Sequence, residues 1–207
     1  MRKPALLVAT LVLVLTTHVK AAQVNFHFGN ARQITAEELE GDGPLPDSYV
    51  YDFFLSSDAD ILRVGNVFVE LFSGSGQLYN SPLGSNTAPP NPTFVAVFPA
   101  LGADSWITTP GSVTATAGGS LGDDNASWFD TSDDGPQQNF HFARLTADGV
   151  GAFRGVVSVA GANGPESFPF NIIFSPPIMP FPEPTSLALF AIGLLSFAGN
   201  RCRGIGN

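Results

Sequence analysis

The residues of this 207-residue chain best placed to do chemistry are aspartates in pairs: Asp58 and Asp60 in one polar turn, Asp123 and Asp124 in a glycine-rich loop. Loop carboxylates, together with backbone carbonyls, can surround a hard cation, so calcium is the cofactor this pattern would take. The full EF-hand spacing is absent. Aspartate also fills turns by bonding nearby backbone amides, and spacing alone does not choose between the two uses. Paired carboxylates serve glycoside hydrolysis as well, but an acidic chain supplies such pairs by composition. Nucleophilic catalysis needs an activated Ser, Cys or Thr beside a base. Between residues 22 and 181 there is no thiol and there are only two histidines to serve as the base. His27 and His141 each lie between phenylalanines in an alternating strand pattern and are expected to face solvent, whereas a zinc site wants three or four convergent ligands. Trp106 and Trp128, with Tyr49 and Tyr51, could stack on sugar rings; packing in a core is the other use of such residues. No catalytic residue is assigned, and the chain is read as a non-enzyme.

The elements that must position these residues are short strands. Gln23 to Phe28 alternates apolar and polar residues. Ile34 to Leu39 suits a turn or two of helix, with Thr35 as its cap and Glu37 and Glu38 at the positive end. Tyr49 to Leu55 is an aromatic-rich strand, closed by the polar turn Ser56 to Asp60. Ile61 to Phe72 reads as one long strand bulged at Gly65-Asn66, or as a hairpin. Ser73 to Pro92 is rich in Gly and Pro and forms a loop of about 20 residues, a length that marks function or mobility. Strands are then expected at Thr93 to Phe98, Asp104 to Thr109 and Ser112 to Ala117, and a second long loop from Gly118 to Gly135. Asn139 to Leu145, Gly151 to Ala160 and Ser167 to Phe174 complete the set, the first two as a hairpin turning at Thr146 to Gly149. Eight to ten short strands with Gly, Pro and Asp turns specify an all-β chain, an antiparallel sandwich or jelly roll. One echo stands out. Asn25-Phe26-His27-Phe28 recurs as Asn139-Phe140-His141-Phe142. It suggests equivalent or neighbouring places in a sheet, although shared strand preference is the simpler cause.

Charge narrows the partners. Residues 22 to 181 carry four arginines, no lysine and seventeen acidic residues, a net charge of −13. Nucleic acid binding needs a basic footprint, so that partner is excluded. The sole cysteine is Cys202; no disulfide framework is available, and the fold must rest on packing.

The two ends are apolar. Arg2 and Lys3 precede an apolar run from Ala5 to Leu15, and Val19-Lys20-Ala21 places small residues at −3 and −1 for cleavage before Ala22. Residues 1–21 thus read as a secretory signal peptide, a substrate for signal peptidase. At the other end, Pro176 to Pro184 forms a stiff, proline-punctuated stalk. Thr185 to Asn200 is apolar around its whole circumference, which suits a membrane helix rather than a soluble one. Its 16 residues are fewer than the roughly 20 a full span requires. Arg201 and Arg203 follow and should stay on the cytoplasmic side of the inner membrane.

Pro182-Glu183-Pro184, the apolar run, and Arg201 and Arg203 together resemble the PEP-CTERM sorting signal of bacterial exosortase substrates. The resemblance covers about the last 26 residues. It implies that an exosortase recognises the tail near Glu183 and passes the protein to the cell surface or extracellular matrix. The expected organisation is a signal peptide (1–21), an acidic β-sandwich ectodomain (22–175), a stalk with the motif (176–184), a hydrophobic helix (185–200) and a basic tail (201–207). Three roles fit such an ectodomain: a structural or adhesive surface protein, a displayed carbohydrate-binding module contacting polysaccharide through Trp106 and Trp128, or a secreted hydrolase. The first is favoured.

Overall fold

The structure, a computed structural model, describes residues 21–29, 31–41, 43–111, 113–115 and 126–177. The chain divides into two units after Ser175, and the architecture below is that of the first. Ten strands, counted among the described residues, form two antiparallel sheets. The first sheet runs β1 (Val24–Phe28), β3 (Tyr49–Ser57), β8 (Gln137–Ala147), β5 (Trp106–Ile107), with β2 (Arg32–Gln33) taking the next stretch of the β3 edge that β1 occupies. The second runs β10 (Gly164–Phe174), β9 (Gly151–Gly161), β4 (Ile61–Leu71), β7 (Ala126–Asp130), β6 (Val113–Ala115). The all-β sandwich expected from the strand pattern is what forms.

Alternation explains which residues face inward. Tyr49, Tyr51, Phe53 and Leu55 of β3 are buried and belong to one core cluster with Val64, Phe153, Val157 and Phe174 from the facing sheet. The core is largely aromatic: Phe53 meets Phe153 edge-on at 4.9 Å between ring centres, and Phe170 meets Phe153 at 4.9 Å. Such contacts add about 0.5–1.5 kcal/mol each beyond the area they bury. Of the two forms open to Ile61 to Phe72, a bulged strand and a hairpin, the bulged strand forms. Asn66 adopts φ 51°, and the register of β4 slips against both β7 and β9 there.

The repeated Asn-Phe-His-Phe motif has a structural counterpart. Its two copies lie in β1 and β8, on either side of β3, and Phe54 is the partner of both His27 and His141. The two strands thus occupy equivalent places on either side of β3.

Other elements depart from expectation. Thr93 to Phe98 is not a strand: Pro92–Val95 forms one helical turn, α1. Asn91 Oδ1 accepts from Thr93 N at 2.9 Å, and Pro92 fills the first helical position. This cap and proline together outweigh the strand preference of Thr, Phe and Val. The Asp104 to Thr109 strand shortens to Trp106–Ile107. The second long loop contains β7. β8 and β9 do not make a hairpin, because they sit in opposite sheets and their connection crosses the sandwich; the tight hairpin joins β9 to β10.

The turn at Glu37–Leu39 forms as a 3-10 helix. Glu38 N donates to Thr35 Oγ1 at 3.3 Å and Thr35 N donates to Glu38 Oε2 at 2.8 Å, the reciprocal pattern of a capping box. This turn and the segment from Ser73 to Ser105 cover the outer side of the first sheet. Val50 is fully buried beneath Ile34, Ala103, Leu39 and Tyr79, and Tyr79 N donates to Thr146 O at 2.8 Å.

Candidate functional site

The aspartates hold loops. Asp60, 8 % exposed at the start of β4, accepts from the amides of Asp134 and Gly135 at 3.0 and 3.1 Å. Asp58 turns to a different segment and accepts from Gln23 N at 2.6 Å. Asp130 takes Gly111 N at 2.9 Å, with Ser132 N on its other oxygen at 2.9 Å. Asp104, buried, takes Ser81 N at 2.8 Å and Ser85 N at 3.1 Å. Gly84 is required beneath it, since a Cβ there would lie 1.9 Å from the carboxylate. Asp148 gives both oxygens to Ser75 N, at 2.9 and 2.7 Å. Each is a charge-assisted bond to backbone, stronger than a neutral one, and together they fasten the loops that lack regular structure.

Burial raises the Asp60 carboxyl above its ordinary value; the Asp134 and Gly135 amides oppose this, and the nearby charges of Asp133 and Asp130 add to it. Burial also raises Asp104, against the pull of the Ser81, Ser85 and Ser105 amides. Asp58 and Asp60, paired in sequence, are therefore engaged by separate backbone segments. No group of three or more His, Cys, Asp or Glu able to hold a metal ion occurs among the described residues. Asp123 and Asp124 lie outside the described residues.

A second constellation, on the outer side of the first sheet, was not legible in advance. Asp52 of β3 receives Arg144 Nε at 2.7 Å and Nη2 at 3.2 Å, in the two-pronged geometry that suits a guanidinium. His141 Nε2 lies 2.9 Å from the same Oδ1. Burial alone would raise the Asp52 carboxyl; the hydrogen bonds and charges of His141 and Arg144 outweigh it and hold it at about 2. Arg144 also donates to Gly102 O at 2.8 Å, and Arg32, paired through both prongs with Glu38, reaches the same carbonyl at 3.1 Å. His141 is half-buried rather than solvent-facing. It stacks on Phe54 at 4.6 Å and meets Trp106 at 4.6 Å. The bulge where the β3–β8 register slips at Phe53/Phe54 places it there. His27 is exposed as expected and stacks on the opposite side of the register, against Phe54 at 5.2 Å.

Neither tryptophan is placed to meet a sugar at the surface. Trp106 is 2 % exposed beneath the Ser73–Ser105 segment, and Trp128 is fully buried. The indole N–H of Trp128 donates to Asn86 O at 3.0 Å, so it ties a loop to the core.

All four arginines of residues 22–181 are engaged within the β-sandwich. Arg32, Arg144 and Arg154 pair with Glu38, Asp52 and Glu70. Arg63 donates to Asn66 Oδ1 and Ser127 Oγ, each at 2.8 Å, and lies over the Phe129 ring. The excess of carboxylates is left to define the outer electrostatics of the domain.

Pro182, Glu183, Pro184, Arg201 and Arg203 lie outside the described residues, as do residues 1–20 of the expected signal peptide and the apolar segment 185–200. No helix among the described residues is long and apolar enough to cross a membrane. Comparison with protein families places a PEP-CTERM protein-sorting motif at residues 182–203. The chain thus carries the sorting signal that its tail resembled, which supports processing by an exosortase and export toward the cell surface or extracellular space. No curated protein and no solved structure matches the chain.

Proposed function

We propose that this is an exosortase-sorted surface or matrix protein whose acidic β-sandwich has a structural or adhesive, non-catalytic role. The observation that carries the proposal is the sorting motif at residues 182–203, placed after a β-sandwich with seventeen acidic and four basic residues. In this reading the signal peptide takes the chain across the inner membrane. The hydrophobic tail then holds it there until the exosortase acts near Glu183. Loops tied down by carboxylate-to-amide bonds suit a domain that works outside the cell without disulfides. The high net negative charge keeps copies apart and soluble.

Replacing Glu183 and Pro184 with alanine in the native host tests the sorting step. The expected result is retention of the protein in the membrane fraction; release at the wild-type level would refute it. Deleting the protein tests the ectodomain's role, with loss of cell-to-cell or cell-to-matrix attachment expected and unchanged attachment counting against it.

A further inference from the structure

The two residues that lead into β1 lie against two carboxylates. Ala22 N donates to Glu166 Oε2 at 3.2 Å, and the next amide, Gln23 N, donates to Asp58 Oδ1 at 2.6 Å. Glu166 sits in β10 and reaches across the β9–β10 hairpin over Gly161, where a Cβ would fall 2.2 Å from its carboxylate. The bare glycine is what lets the side chain lie along this path. A cleft of about 380 Å³ opens here, lined by Ala21, Ala22, Asp58, Ala59, Ala160, Gly161 and Ala162. Apart from Asp58, its lining carries no charged group, and Glu166 stands beside it.

This is also the bond at which the signal peptide is read to end. Hydrolysis of Ala21–Ala22 adds one water. The oxygen goes to the Ala21 carbonyl carbon, which leaves as a carboxylate. The Ala22 nitrogen, released from the amide, takes up protons to become an ammonium. A neutral N–H donor already bonded to Glu166 then becomes a cation at the same place.

We propose that Glu166, with Asp58 beside it, forms a receiving site for the mature α-ammonium of Ala22, so that removal of the leader creates an ion pair that ties β1 of one sheet to β10 of the other. The proposal rests on the export reading given above and adds to it the fate of the new terminus. An ammonium also binds carboxylate more strongly than a neutral amide does, so the processed chain gains a contact that the precursor has only in weaker form.

The sequence makes the test clean. Both lysines, Lys3 and Lys20, precede Ala22, so a chain starting at Ala22 has a single primary amine. The mature protein is purified from its native host, its N-terminus is read by mass spectrometry, and the rate of reaction of its one amine with trace acetic anhydride is followed against pH. A free α-amine ordinarily loses its proton near about 7.7–8.0. With an opposite charge in contact, the amine should hold its proton about tenfold more tightly. Glu166→Gln should abolish that gain, and Asp58→Asn should reduce it by a smaller factor. A mature chain that starts elsewhere would overturn the cleavage assignment and the receiving site with it. A chain that starts at Ala22, but whose amine titrates in the ordinary range and ignores Glu166→Gln, would overturn the receiving site alone and leave the export reading standing. Circular dichroism identical to wild type qualifies the Glu166→Gln result; Glu166→Asp, which keeps the charge but shortens the reach, should give a loss between the two.

Discussion

Replacing Asp52 with asparagine should weaken the fold by an amount that depends on pH in a defined direction. A carboxyl held at about 2 rather than 3.8 contributes about 2 kcal/mol of stability at neutral pH, at roughly 1.36 kcal/mol per pKa step. The variant removes that contribution and leaves the Arg144 guanidinium, one-fifth exposed, without its carboxylate, so a total cost of about 2–3 kcal/mol is expected. Because the folded value is depressed, the contribution is complete above the ordinary carboxylate range and is lost as pH falls through about 4 to 2. Urea unfolding followed by fluorescence of the buried tryptophans would give the gap between wild type and variant at several pH values. Glu38, lowered when the Arg32 bond overcomes its burial, and Asp60 and Asp104, both raised, titrate alike in both proteins and drop out of the difference. The gap should be present above the ordinary carboxylate range and should close as pH falls toward about 2. A gap below about 0.5 kcal/mol at neutral pH, or one that persists undiminished in acid, would refute the reasoning.

Two further substitutions probe the loop fastenings. Asp104→Ala frees the Ser81 and Ser85 amides inside a covered segment and should cost about 2–3 kcal/mol in chemical unfolding; it should also speed hydrogen exchange at those two amides above that of the strand core. Trp128→Phe removes the bond to Asn86 O and part of a fully buried ring; a loss of about 1–3 kcal/mol is expected, measured by the same unfolding curves.

Much of the sandwich was legible because a strand with one buried face must alternate. Tyr49 to Leu55 declares both its faces, and Gly65-Asn66 announces a bulge because the backbone there must leave the strand region. Where composition and local capping disagreed, composition misled: Thr93, Phe94 and Val95 suit a strand, yet Asn91-Pro92 starts a helical turn. A turn such as Ala147 to Gly149 looks the same whether the following strand pairs beside the last one or crosses to the facing sheet, so the β8–β9 connection was not readable. The aspartates show the same limit. Their suitability for loops follows from residue type, but the partner of Asp60 lies 74 residues away, and that pairing is set only when both sheets are assembled. His141 was misplaced because alternation predicts its side of the sheet but not the Ser73–Ser105 segment that covers that side. The tryptophans were ambiguous for a related reason: an aromatic ring suits a sugar and a core equally, and only the layer above Trp106 decides.

If the sorting signal acts as proposed, the acidic β-sandwich reaches the exterior after losing its apolar tail. The most direct measurement is the intact mass of the protein recovered from the surface or matrix fraction of its native cells. The prediction is a chain that ends close to Pro182-Glu183-Pro184 and lacks Leu187 to Asn207. Recovery of a chain that still contains Leu189 and Arg203, or its confinement to the cytoplasm, would contradict the account.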